Sequence, residues 1–173
     1  MVKALFLDRD GVINIEKDYL YKIEDFEFID GIFELCRYYQ KLGFIIVVVT
    51  NQSGIARGYY SEDDFDKLTS WMLSEFSAHG IDIKKVYYCP HHPDISGACS
   101  CRKPNPGMFL SASKDLNIDL KNSILVGDKE RDIKAALNAG LTTVYLFDES
   151  SSVAISDASK IVSRLEEIYS ANT

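Results

Sequence analysis

No apolar run in this chain approaches the roughly 18 residues that a membrane-spanning helix needs, so no membrane partner is expected. The start, Met1-Val2-Lys3-Ala4, lacks a basic segment followed by a long apolar one, so no export signal is expected and the cytoplasm is the expected location. No stripe of Lys and Arg interrupts the formal charge of −7, which argues against a nucleic-acid partner. Small anionic substrates remain compatible with that charge, because a metal ion and a few local cations override the global field. Internal repeats, low-complexity tracts and linkers are also missing. The 173 residues, 46% of them hydrophobic, therefore read as a single domain over 1–173 with one sizeable core, expected as a monomer.

What is present alternates. Strand-like runs at Ala4–Leu7, Phe44–Val49, Lys85–Tyr88, Ser123–Val126 and Thr143–Leu146 are separated by helical stretches. Helices are predicted at Ile32–Leu42, with Phe33, Leu35, Cys36, Tyr39 and Leu42 toward one side, and at Ser61–His79, capped by Ser61. Further helices are predicted at Gly107–Leu116, Asp132–Ala139 and Asp157–Tyr169. Such alternation implies an α/β fold of three layers, a parallel sheet covered by helices on both faces, in the Rossmann-like manner.

Three of the strands empty into polar residues at their carboxyl ends, where open α/β sheets bind ligands. The first runs into Asp8 and Asp10, whose i, i+2 spacing lets two carboxylates converge. Two anions so close repel unless a cation or a shared proton relieves them, and Mg²⁺ would do that. One carboxylate then serves as nucleophile and the other as acid/base; the plain alternative is a solvated Asp turn. The second strand empties into Thr50-Asn51-Gln52-Ser53-Gly54, whose hydroxyl and N–H groups suit phosphoryl oxygens or simply make a turn. The fourth leads to Gly127-Asp128, with Asp132 four residues on, either supporting the site or favouring a helix N-terminus. Between them Arg102-Lys103-Pro104-Asn105-Pro106 offers a lysine on a stiff segment, able to neutralise both aspartate and phosphoryl charge.

Four cysteines are present, and three of them fall in the segment Cys89-Pro90-His91-His92 to Cys99-Ser100-Cys101. This Cys-x-His-x₇-Cys-x-Cys pattern suits tetrahedral Zn²⁺ held by Cys89, His91, Cys99 and Cys101, in a closed structural site. His92 is the alternative imidazole. Because the loop ends directly before Arg102 and Lys103, its folding would fix the backbone that presents both cations. Cys36 reads as core and His79 as a helix end.

Asp8-x-Asp10-Gly11, a strand ending in Thr50, Lys103, and Gly127-Asp128 with Asp132 together resemble the four motifs of the haloacid dehalogenase-like (HAD) phosphohydrolases, in order and across the whole chain. That resemblance implies an aspartyl-phosphate on Asp8, acid/base work by Asp10, and phosphoryl contacts from Thr50 and Lys103, with Arg102 beside Lys103 in the catalytic set. It also implies Mg²⁺ held by Asp8, the Asp10 carbonyl and Asp128. The zinc loop, Phe26–Gly31, Thr50–Gly58 and Cys101–Pro104 further resemble a small, capless branch, the heptose 1,7-bisphosphate 7-phosphatases, with histidinol-phosphate phosphatases as close kin. The branch implies a sugar phosphate substrate touching Arg9, Glu16, Lys17, Asp18, Tyr19, Asn51, Gln52, Ser53 and Lys129. Arg102 and Lys129 would hold the phosphate that is not cleaved, which favours the bisphosphate over histidinol phosphate. Glu16-Lys17-Asp18 departs from the Asp-His-Gly-type run common in the branch, and Val12 stands where threonine is frequent. A receiver-like signalling domain fits less well, because its acceptor Asp usually follows the third strand, which here runs into Cys89. A zinc-stabilised binding module would need a basic or aromatic patch that the acidic balance does not supply.

Overall fold

The computed structural model describes residues 1–170. Six strands make one sheet: β1 Ala4–Leu7, β2 Ile45–Asn51, β3 Ile83–Cys89, β4 Ile124–Gly127, β5 Thr143–Phe147 and β6 Lys160–Val162. They are ordered β3-β2-β1-β4-β5-β6, and every neighbouring pair is parallel. The chain builds outward from β1 through β2 to β3, then crosses back to β4 and builds the other way. The order therefore reverses between β1 and β4, the position where such sheets open a crevice at their carboxyl ends.

Period-two alternation within the buried strands makes two cores. Leu5, Leu7, Ile46 and Val48 pack with Leu35, Cys36 and Tyr39 of α1 (Ile32–Lys41) and Leu68, Met72 and Phe76 of α2 (Glu62–Ala78). Ala4, Phe6, Val47 and Val49 face the other way, onto Met108 and Phe109 of α4 (Gly107–Leu116) and Ile133 and Ala136 of α5 (Glu130–Ala139). Between α2 and α4 lies α3 (Pro93–Ser96), one short turn in the cysteine loop. The architecture is the expected three-layer, Rossmann-like fold, a parallel sheet between two layers of helices.

Local signals set most helix ends. Ser61 caps α2 in a reciprocal box: its hydroxyl accepts the Asp64 N–H at 3.0 Å, and the Asp64 carboxylate accepts the Ser61 N–H at 3.0 Å. His79 closes that helix and stacks on Phe33, ring centres 3.8 Å apart. Two expectations fail. Leu42 turns out to solvent, 53% exposed, because the chain leaves α1 there and Ile32 fills the apolar face instead. The predicted helix Asp157–Tyr169 is replaced by β6 and the short α6 (Glu166–Tyr169). Ile161, Leu165 and Ile168 have helical spacing, but the free edge of β5 takes Lys160–Val162 as a strand, which sends Ile161 and Val162 to opposite cores.

Candidate active site and cysteine–histidine cluster

The crevice between β1 and β4 gathers the strand-end groups. Asp8 follows β1, Thr50 is the next-to-last residue of β2, and Asp128 follows β4. Lys103 reaches them from the loop before α4. Its Nζ lies 3.1 Å from Asp8 Oδ1 and 2.7 Å from Asp132 Oδ1, and it donates to the Val49 carbonyl at 3.0 Å. Asn51 holds the lysine's main chain from both sides: its carboxamide accepts the Lys103 N–H at 3.0 Å and donates to the Lys103 carbonyl at 3.2 Å.

Charge in this crevice is strongly coupled. Burial, and then the Asp132 carboxylate, push Asp8 well above the usual carboxylate range against the pull of Lys103. Burial and Asp132 likewise push Asp128 up to about 6. Burial alone would lower Lys103 and raise Asp132, yet each overcomes that effect on the other: the ammonium is held above its ordinary range and the Asp132 carboxyl below. Asp132 also accepts the Asp128 and Lys129 N–H groups at 3.1 and 3.0 Å, so it serves both alternatives left open by its spacing.

The donor set fits a hard divalent cation. Carboxylate oxygens of Asp8, Asp128 and Asp132 lie within 4.8 Å of one another, and the buried Asp128 Oδ1 receives no hydrogen bond from the described residues. Gly11 leaves this space open. At φ +89° it holds a conformation that side chains rarely adopt, and a Cβ there would collide with the Asp128 carboxylate. The Asp10 carboxylate is turned elsewhere. It accepts from Arg9 Nε and Nη2 at 3.2 and 3.0 Å, from Asn14 Nδ2 at 3.0 Å and from Gln52 Nε2 at 3.1 Å.

Beside these groups opens a cleft of about 360 Å³. Of the residues expected to touch substrate or carry chemistry, Asp10, Glu16, Asp18, Tyr19, Asn51, Gln52, Ser53, Arg102 and Lys129 line it. Asp18 and Tyr19 take left-handed backbone, φ +39° and +59°, in the turn that brings Tyr19 to the wall. Arg9 and Lys17 are not brought there. The Arg9 guanidinium is buried under the Asp10 carboxylate, and Lys17 instead pairs with Glu27 on the surface. Gly54, Arg57, Tyr60 and Arg131 also line the cleft; none was expected to touch substrate, although Gly54 and Arg57 lie in the Thr50–Gly58 segment that carries the resemblance. Tyr60 lies two residues beyond that segment, in the same loop, the one signal that could have pointed to it.

Cys89, His91, Cys99 and Cys101 bring one ligand atom each within 4.8 Å of the others. His91 Nδ1 lies 3.5 Å from Cys89 Sγ and 3.3 Å from Cys101 Sγ. His92 is engaged elsewhere, its Nδ1 accepting the Asp94 N–H at 3.2 Å at the head of α3. Three thiols and an imidazole with no exposed carboxylate among them fit Zn²⁺ better than a hard cation. Strand register ties this cluster to the crevice, since Cys89 pairs with Asn51, the residue that clamps Lys103.

Fold and sequence comparisons agree with this arrangement. The HAD-hydrolase-like family model matches residues 100–162. The D-glycero-alpha-D-manno-heptose-1,7-bisphosphate 7-phosphatase of Campylobacter jejuni is 57% identical over 147 residues, spanning 85% of this chain and 83% of that protein. The D-glycero-beta-D-manno-heptose-1,7-bisphosphate 7-phosphatase of Yersinia pestis is 49% identical over 84% of this chain and 80% of its own length. A crystal structure of D,D-heptose 1,7-bisphosphate phosphatase from B. bronchiseptica, complexed with magnesium and phosphate, superposes with a TM-score of 0.86 at 27% identity, covering 98% of this chain and 97% of that one. Together with these relatives, the parallel sheet with carboxylates and a lysine at its switch point makes the chain a HAD-like hydrolase, a phosphoric monoester hydrolase. The chain belongs to the D-glycero-D-manno-heptose-1,7-bisphosphate 7-phosphatase family.

Proposed function

We propose that this protein removes the 7-phosphate of D-glycero-D-manno-heptose 1,7-bisphosphate with Mg²⁺ as cofactor, through an aspartyl-phosphate on Asp8. The observation that carries the reading is Asp8, 3.1 Å from the Lys103 ammonium, beside a cleft lined by Asp10, Arg102 and Lys129. An Asp8 oxygen attacks phosphorus as the bond from phosphorus to the sugar oxygen breaks. Asp10 gives its proton to that oxygen, then takes one from the water whose oxygen displaces phosphate from Asp8. Lys103 and the Thr50 hydroxyl meet charge on the phosphoryl oxygens. Held by Asp8, Asp128 and the Asp10 carbonyl, Mg²⁺ would neutralise the crowded carboxylates and the phosphoryl group.

Arg102 and Lys129 take the phosphate that stays, and Glu16, Asp18, Tyr19 and Ser53 meet the sugar. Surrounding loops, rather than a separate cap domain, then enclose the substrate. The cysteine–histidine cluster holds a structural Zn²⁺ that fixes the Arg102-Lys103 segment, and its unpaired thiols suit the reducing cytoplasm. Phosphate release from the heptose bisphosphate and from histidinol phosphate, measured side by side with Mg²⁺, tests the substrate. A kcat/KM preference of about 100-fold for the heptose, roughly 2.7 kcal/mol, is expected. A preference for histidinol phosphate overturns the substrate and leaves the chemistry standing.

A further inference from the structure

Gln52 sits in the loop expected to touch substrate, yet its carboxamide is spent inside the protein. The residue is buried, and its Nε2 donates to Asp10 Oδ2 at 3.1 Å and to Thr50 Oγ1 at 2.9 Å. Its Oε1 accepts the Tyr60 hydroxyl and, at 3.4 Å, Arg9 Nη2. One amide thus touches the acid/base and a phosphoryl-contacting hydroxyl at once. An amide has two orientations of nearly equal shape, and only its partners choose between them. Flipped, Gln52 would point its oxygen at the Asp10 carboxylate. The Asp10 carboxylate facing Nε2 and the pair of donors facing Oε1 together forbid the flip, and of those donors Tyr60 serves no other hydrogen-bond partner among the described residues.

Tyr60 is itself firmly placed. Its ring stacks on Tyr21 at 5.4 Å and 13°. It also lies against Gly54, where any Cβ would run into the ring. Burial pushes its phenol up to about 12, so it stays a donor through the neutral range. The two oxygens of Asp10 are held differently. Oδ1 is gripped by Arg9 and Asn14, whereas among the described residues Oδ2 has only Gln52 and a second contact from Arg9 Nη2, at 3.1 Å.

We infer that Tyr60, acting through Gln52, is a positioning residue that aims the Asp10 carboxyl at the leaving-group oxygen. This rests on the acid/base role given to Asp10 above, and not on the identity of the sugar. The chain is Tyr60 hydroxyl to Gln52 oxygen, and Gln52 amide nitrogen to Asp10 Oδ2. Removing the first hydroxyl leaves Arg9 as the sole donor to the amide oxygen among the described residues, and proton delivery loses its alignment.

Tyr60→Phe keeps the ring on Tyr21 and removes only the hydroxyl. The test compares two esters differing in leaving group, phenyl phosphate and p-nitrophenyl phosphate, with saturating Mg²⁺ and Zn²⁺-loaded protein. For phenyl phosphate, whose departing oxygen needs a proton, kcat/KM should fall by ~10-fold. For p-nitrophenyl phosphate, whose anion departs unaided, kcat/KM should stay within about 2-fold of wild type. In a Gln52→Ala background, Tyr60→Phe should have no further effect on either ester, since the link to Asp10 is already cut. Equal losses on both esters, or a full Tyr60→Phe effect without Gln52, would overturn the assignment. Wild-type protein hydrolysing both aryl esters but not the heptose bisphosphate would overturn the proposed substrate and leave Tyr60 in its role.

Discussion

The ammonium of Lys103 lies 2.7 Å from a carboxylate oxygen of Asp132, and the two side chains are only 1% and 0% exposed. Asp132 is thus the fixed anion that keeps a buried lysine charged and extended, which leaves the same ammonium to face Asp8. Neither residue is adjacent to the other in any element: one precedes α4 and the other lies in the first turn of α5.

Removing one member of a buried pair strands the other. Lys103→Met should lower the unfolding free energy by ~3 kcal/mol in metal-free buffer, because Asp8 and Asp132 lose their cation. Added Mg²⁺ should restore part of that stability but not turnover. Urea titrations with and without Mg²⁺ read the effect, and full stability in metal-free buffer would contradict it.

Asp8→Asn keeps the size of the side chain and removes the nucleophilic charge. It should fold like the wild type, as judged by circular dichroism, with turnover reduced by several orders of magnitude. Retention of more than about 1% of activity would remove Asp8 from the nucleophile's place.

Arg102 lines the cleft and is not paired with any carboxylate among the described residues. Arg102→Ala should raise KM for the heptose bisphosphate by ~10-fold, the worth of one charged hydrogen bond. Esters with a single phosphate should feel much less. An unchanged KM for the bisphosphate would take Arg102 out of the binding of the second phosphate.

Zinc removal should act on Lys103 at a distance, since Cys101 lies two residues before it. Protein stripped with a chelator and returned to Mg²⁺ alone should remain poorly active, and Zn²⁺ added with Mg²⁺ should restore turnover. Full activity of protein shown by atomic absorption to contain no zinc would falsify the link.

Alkaline stability carries a signature of Tyr60. Its folded phenol is raised from 10.0 to about 12, so the folded state holds this proton more tightly than the unfolded chain. The corresponding stability is fully present below pH 10 and is lost as pH rises toward about 12. Urea midpoints should therefore fall over that window in the wild type and fall less in Tyr60→Phe. Parallel slopes in the two proteins would count against a buried, hydrogen-bonded Tyr60.

Sequence by itself determined the first five strands of the sheet, β1 to β5, and their polar ends, because buried parallel strands are continuous apolar runs and announce where they stop. Asp8, Thr50 and Asp128 were legible for that reason. The Cys89, His91, Cys99 and Cys101 spacing was legible as a local pattern that needs no tertiary context, and the structure sets aside the alternative His92 by turning its ring to Asp94. β6 was not legible. Its three residues carry no pattern apart from the β5 edge they join, while Ile161, Leu165 and Ile168 imitate a helix. Tertiary structure alone decided what each polar side chain does. It buried Arg9 beneath Asp10, sent Lys17 to Glu27, drew Tyr60 onto Gln52 and set Asp132 against Lys103. The physical reason is that a hydrogen bond or ion pair depends on two groups meeting at about 3 Å, and chain order fixes such distances only within a helix, strand or turn.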